Sequence, residues 1–273
     1  MINTLAEMFS YPFLLRALIV GLLVSLCASV LGVSLVLKRY SMIGDGLSHV
    51  GFAALTVAYA MKMAPLVISI PVCMACAFFL LQLKDSSKIK GDAATALLCS
   101  SSLAIGVMTI SLTSGMNTDV TNYMFGSILA MDNSDVILSV ILSTTVLILY
   151  ILFYNRIFAV TFDENFSSAI GLKTRACNMI LAALTAITVV LGMRMMGTLL
   201  ISSLIIFPSL TAICVCKSFK STVILSAILS LICFTAGLII SYLKSVPTGA
   251  CIVVTDMTLF LIFSIIGKIK KIS

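Results

Sequence analysis

Long apolar runs separated by short polar breaks set the pattern of this chain. Runs can be drawn at 13–37, 43–60, 64–83, 93–115, 135–154, 176–193, 195–215, 222–243 and 250–267. A helix needs about 20 mostly apolar residues to cross the hydrocarbon of a bilayer, and in lipid its backbone polar groups must be satisfied within the segment. The runs therefore predict an all-α, polytopic transmembrane bundle of eight or nine helices. The longest polar stretch, 154–175, is too short for a soluble domain, so residues 1–273 are expected to form a single membrane domain. No self-similarity that would mark an internal repeat is evident by eye.

Charge sharpens this picture. Only 10% of residues are charged and 61% are hydrophobic, where a soluble domain carries about 25% charged residues. Placing 84–92 and 155–175 on one side of the membrane, as the two runs between them require, and alternating from there sorts the basic residues. Lys38, Arg39, Lys84, Lys88, Lys90, Arg156, Lys173, Arg175, Lys217, Lys220, Lys268, Lys270 and Lys271 fall together, against Arg16, Lys62, Arg194 and Lys244. The richer side is expected to be cytoplasmic, which puts the N-terminus outside and the C-terminus inside a multi-pass plasma-membrane protein. The net charge of +7 is then a topology signal. Nucleic-acid binding needs a solvated basic face, and these runs leave none. Glu7 with no basic residue before Arg16, followed by a run too long for a signal-peptide core, predicts a spanning first helix.

The nine cysteines lie almost all inside apolar runs, which is not a secreted disulfide framework. Cys73 and Cys76, and Cys214 and Cys216, form close pairs without charged or histidine neighbours, and they read with the rest as small apolar membrane residues.

The most informative stretch is Ser41-Met-Ile-Gly-Asp-Gly-Leu-Ser-His-Val-Gly51, because it opens the second run yet holds Asp45 and the chain's single histidine, His49. Four residues apart on a helix, the two share a face. Carboxylate and imidazole together suit zinc, and also manganese or iron. The alternative is that Asp45 caps the helix and His49 packs in the core. An ionisable pair inside a spanning segment commonly faces a pathway or cavity, and Gly44, Gly46 and Gly51 permit a broken or closely packed helix there; both readings stay open on the residues alone. Asp256, inside the last run, either lines a pathway or pairs with Arg194, the pair being the preferred reading. The loop Phe162-Asp-Glu-Asn-Phe-Ser-Ser-Ala-Ile-Gly-Leu172 predicts a short helix with acidic residues at its N-terminus and Gly171 at its end, either a docking element or a plain connector.

The chain has no Gly-x-x-x-x-Gly-Lys-[Ser/Thr] phosphate loop, no His-Glu-x-x-His helix and no Gly-x-Ser-x-Gly turn. An enzyme is not expected, and any ATP is bound by another subunit.

Taken together, several stretches resemble the ABC-3 permeases, the zinc, manganese and iron importers of the ATP-binding-cassette class. Ser41 to His49 is similar to the family's Gly-Asp-x-x-Ser-His element and Tyr123 to Ala130 to its Gly-Ser-Ile-Leu turn, followed here by Asp132 or Asp135. Phe162 to Gly171 is similar to its coupling segment, Met196 to Pro208 to its Gly-x-Leu-Leu helix, and Val246-Pro-Thr-Gly249 to its Pro-[Ser/Thr]-Gly turn. Ser41 to Gly51 and Gly192 to Pro208 look most like the bacterial high-affinity zinc uptake permeases.

The resemblance implies a vitamin B12 permease-like importer architecture in a bacterial cell membrane. It implies a second permease copy in a homodimer or paired permease, two copies of an ATPase subunit that bind the ATP, and an extracytoplasmic metal-binding lipoprotein. The transported ion would be zinc, with manganese or iron as alternatives, and no cofactor would be bound permanently. Asp45 and His49 would lie on the metal pathway, and Phe162, Asp163, Glu164, Ala169 and Gly171 would seat in the ATPase. A secondary transporter driven by an ion gradient is the rival of another class. An intramembrane enzyme pairing Asp45 with Asp256 ranks last.

Overall fold

The computed structural model describes residues 12–86, 91–113 and 133–272. Among these there are ten helices and no strand: α1 Pro12–Leu37, α2 Ile43–Ala60, α3 Pro65–Ser86, α4 Gly91–Leu112, α5 Asn133–Phe162, α6 Glu164–Ala169, α7 Thr174–Met196, α8 Thr198–Val215, α9 Phe219–Lys244 and α10 Thr248–Ile272. Nine long helices correspond to the nine apolar runs, and the tenth is the short helix expected after Phe162. Glu7, the Tyr123–Ala130 stretch and Asp132 lie outside the described residues.

Among the described residues seven helices are long and apolar enough to cross a membrane, against the eight or nine expected for the whole chain. The apolar part of α3, Pro65–Leu81, is shorter. Helix α2 falls outside the seven because Asp45, His49 and its glycines dilute it, and its surroundings explain why that is tolerated. Of its 18 residues, 13 are buried. It packs on α3, α4, α7 and α8, so protein rather than lipid surrounds its polar groups. The lipid-facing work falls to outer helices, where Ile105 and Met108 of α4, Ile148 and Ile151 of α5, and Leu261 and Ile265 of α10 are exposed.

The centre of the bundle is a close-packed group of α1, α7 and α8, and α2 packs on α7 and α8. Lipid tails are as apolar as leucine, so helices in a membrane associate through packing and interhelical hydrogen bonds, both favoured by small residues. Helix α1 follows that rule. The Ser209 and Ser226 hydroxyls, from α8 and α9, donate to the Ser29 carbonyl at 3.1 and 3.2 Å, and Ser230 donates to the Ser25 carbonyl at 3.0 Å. Next to them, a Cβ on Gly32 would lie 2.1 Å from the Ile205 carbonyl oxygen and 2.5 Å from Ser209 Oγ. The approach of α8 to α1 depends on glycine here.

Gly32→Ala is therefore expected to force α1 and α8 apart, destabilising the fold by about 1–3 kcal/mol, the usual range for overpacking. Thermal unfolding in detergent checks this, with Ser111→Ala on the exposed face of α4 as a control expected to leave the midpoint in place.

Candidate metal site

The site begins at the turn between α1 and α2. Met42 occupies the N-cap of α2 and contributes no side-chain hydrogen bond, and Asp45 does not cap either. Its carboxylate reaches sideways: Oδ1 accepts from Ser202 Oγ of α8 at 3.1 Å, and Oδ2 accepts from Cys99 Sγ of α4 at 3.8 Å. One turn on, His49 Nε2 lies 4.0 Å from Asp45 Oδ1. Packing explains how two other helices come so close. A Cβ on Gly44 would lie 2.8 Å from Ile205 Cδ1 of α8, and one on Gly46 would lie 2.8 Å from Thr95 Cγ2 of α4. The glycines flanking Asp45 thus admit the helices that carry Ser202 and Cys99.

One carboxylate oxygen of Asp45, one imidazole nitrogen of His49 and Cys99 Sγ lie within 4.8 Å of one another. Among the described residues this is the one group of three such donors. A tetrahedral cation with bonds of about 2.0–2.3 Å spaces its ligands by roughly 3.5 Å, so a modest contraction makes a three-ligand site with an open position. The Asp45 and His49 side chains keep 35% and 16% exposure, which leaves the donors accessible from one side. Cys99 and Ser202 were missed from sequence. The available signal for Cys99 was the polar step Cys99-Ser100-Ser101-Ser102 interrupting an otherwise apolar run. The close cysteine pairs assemble nothing comparable, and the Cys73 thiol donates to the Leu47 carbonyl at 3.6 Å.

Asp256 corrects an expectation. It is 1% exposed, and its carboxylate faces the Cys233 thiol of α9 with no cation hydrogen-bonded to either oxygen, so the pair with Arg194 does not form. The reason is lateral position. Arg194 is in the last turn of α7 and Asp256 in α10, and α8 packs on both while α7 and α10 make no extensive contact. Nor does Asp256 join Asp45.

At one end of the bundle the short helix α6 is held on the long ones. Asp163 is its N-cap and accepts from the Phe166 amide at 2.8 Å. Glu164 pairs with Lys38 at 3.7 Å and accepts from Asn178 Nδ2 at 2.6 Å, while Lys38 Nζ donates to Asn178 Oδ1. Gly171, at φ 86°, takes the left-handed conformation that glycine adopts without strain and releases the chain into α7. Phe162, Phe166 and Ile170 are 62%, 60% and 58% exposed, and Ala169 and Gly171 are exposed beside them. Of the five residues singled out from sequence here, Asp163 and Glu164 build and anchor the helix, and the other three face outward.

Residues 10–267 match the family model described as ABC 3 transport family. The manganese import system permease protein ScaB of Streptococcus gordonii is 29% identical over 92% of this chain and 90% of its own length. The chelated iron transport system membrane protein YfeD of Yersinia pestis is 28% identical over 99% and 91%. The high-affinity zinc uptake system membrane protein ZnuB of Haemophilus influenzae is 28% identical over 92% and 97%. Among solved structures, PsaBC from Streptococcus pneumoniae in complex with Fab superposes with a TM-score of 0.87 at 28% identity, covering 96% of this chain and 95% of that one.

If the three donors bind a metal together, zinc shields the Cys99 thiolate from alkylation. In a variant keeping Cys99 as its only cysteine, maleimide labelling is expected to slow at least tenfold with zinc and to be unaffected by magnesium, which prefers oxygen ligands. Equal labelling rates with and without zinc would remove Cys99 from the ligand set.

Proposed function

The chain belongs to the ABC 3 transport family, and on that premise we propose that it is a permease for zinc, with Asp45, His49 and Cys99 as the ion's transient ligands. As a divalent-metal permease it is a membrane subunit of an ABC importer, and a separate subunit hydrolyses ATP. The observation that carries zinc is the thiol. Carboxylate and imidazole alone serve manganese or ferrous iron as well, whereas a thiolate added to them favours zinc over the oxygen-preferring manganese. Two partly exposed protein donors and a third from another helix suit an ion in transit, which must enter and leave, better than a sealed structural site.

The site also supports a second permease copy. Ala96, Ser100 and Ala104 line an exposed face of α4 beside Cys99. Small residues spaced by four let helices approach closely, and a second copy on this face would shield the charged donors from lipid. We place the α6 end in the cytoplasm, since Lys38, Lys173, Arg175 and Lys217 gather near it. There Phe162, Phe166, Ala169 and Ile170 offer an uncovered surface for an ATPase subunit, one under each permease, with an extracytoplasmic binding protein delivering the ion from the other side.

The mechanism follows from how α6 is tied down. Glu164 grips Lys38 and Asn178, the first residue beyond α1 and an early residue of α7. Lys38 precedes Asp45 by only seven residues, through the turn that opens α2. A displacement of α6 by the ATPase would thus pull on the turn that sets the position of Asp45. Ser202 holds the carboxylate in place from α8, and movement of α2 against α8 and α4 would separate the donors and release the ion inward.

In proteoliposomes holding the permease with its ATPase and binding protein, Asp45→Ala and His49→Ala are each expected to lower zinc uptake at least tenfold with the assembly intact. Cys99→Ser is expected to lower zinc uptake while sparing manganese. Unchanged zinc uptake in the first two variants would return both residues to a structural role, and parallel loss of both metals in Cys99→Ser would favour the manganese reading.

A further inference from the structure

Helices α5 and α9 both pack on α1 without extensive contact between themselves. They meet at the Phe219 ring, whose centroid lies 5.6 Å from that of Tyr154 and 5.9 Å from that of Phe162. Away from that point they diverge, and a cleft of about 550 Å³ opens between them with α1 as its floor. Leu26 and Val30 form the floor, Leu147 and Ile151 one wall, and Val223 and Ile224 the other. From Leu147 to Asn155 the cleft follows α5 for about 12 Å. Its walls are parts of spanning helices, with Ile151 and Ile224 exposed at the rim, so it opens toward the hydrocarbon of the bilayer.

The chemistry changes at one end. Tyr150 also lines the cleft, with its hydroxyl turned to Ser34 Oγ at 3.5 Å, and towards α6 the lining becomes Tyr154, Asn155 and Lys220, so a mainly apolar cleft finishes in a phenol, an amide and one ammonium, with no acidic residue. Lys220 stands in the first turn of α9, where the helix leaves the hydrocarbon and its side chain can reach the headgroup layer. An occupant that matches this sequence of surfaces has a hydrocarbon chain below and a negative group above. Basic pockets between spanning helices take the headgroups of anionic lipids. We propose that this cleft is a binding site for one anionic phospholipid, with an acyl chain between α5 and α9 and the phosphate against Lys220, Tyr154 and Asn155.

This inference goes beyond the transport reading and does not depend on it, so its test uses neither metal nor ATP. Purified permease is offered phosphatidylglycerol and phosphatidylcholine of matched chains and examined by native mass spectrometry. Wild type is expected to retain one phosphatidylglycerol per chain in preference to phosphatidylcholine. Lys220→Gln is expected to lower that preference about fivefold, the effect of one basic residue at a membrane surface, and Lys217→Gln, outside the cleft, to leave it intact. Leu147→Phe fills the cleft and is expected to reduce retention of both lipids. A photoreactive residue at Ile151 reports on the folded wild-type cleft and is expected to form lipid adducts. Equal retention of the two lipids by wild type, an unchanged preference in Lys220→Gln, unchanged retention in Leu147→Phe, or an Ile151 adduct to a second copy of the chain in place of lipid would each overturn the proposal.

Discussion

A carboxylate on a helix buried among the spanning ones is the constraint around which this bundle is arranged. Asp45 cannot face lipid, because an uncompensated charge in a membrane interior costs several kcal/mol. Every feature near it addresses that cost. Helix α2 is wrapped by four others, Gly44 and Gly46 let α8 and α4 approach, and Ser202 and Cys99 direct their hydrogens at the two carboxylate oxygens. The same arrangement leaves Asp45 and His49 open on one side. Protecting the charge from lipid and, in the proposed role, presenting it to a cation would be met by one piece of packing.

The second feature is the nearness of this site to the short helix at the end of the bundle. The Glu164, Lys38 and Asn178 cluster ties α6 to the end of α1 and the beginning of α7. Of these, α7 packs directly on α2, and α1 packs on α7 and α8. In the proposed coupling role, a displacement of α6 would reach α1 and α7 through this cluster, alongside α5, on which α6 also packs. Asp256 has no comparable connection. It lies in α10, which packs on α8 and α9, with the Cys233 thiol of α9 as its neighbour.

Most of the architecture was legible in the sequence, since lipid imposes a length and a composition on each spanning helix. The short helix α6 was legible too: Asp163, Glu164 and Gly171 marked its ends, and the structure has Asp163 as the cap and Gly171 at positive φ. Helix α5 was expected to stop near Tyr154 and runs to Phe162, because Tyr154, Phe158 and Phe162 pack in turn on Phe219 of α9. Half of the candidate site was legible, and the reason is local: Asp45 and His49 share one helix face. Cys99 and Ser202 are 54 and 157 residues from Asp45, and only helix packing brings them to it. The Asp256 and Arg194 expectation failed for the same cause, since hydropathy indicates depth in a membrane but not which helix stands beside which.

The most direct test of the proposed three-ligand site is X-ray absorption at the zinc edge on purified, zinc-loaded permease. The account predicts a first shell with one sulfur at about 2.3 Å beside nitrogen or oxygen at about 2.0–2.2 Å, and loss of the sulfur in Cys99→Ser. A wild-type shell of nitrogen and oxygen alone, or a sulfur that persists in Cys99→Ser, would contradict it.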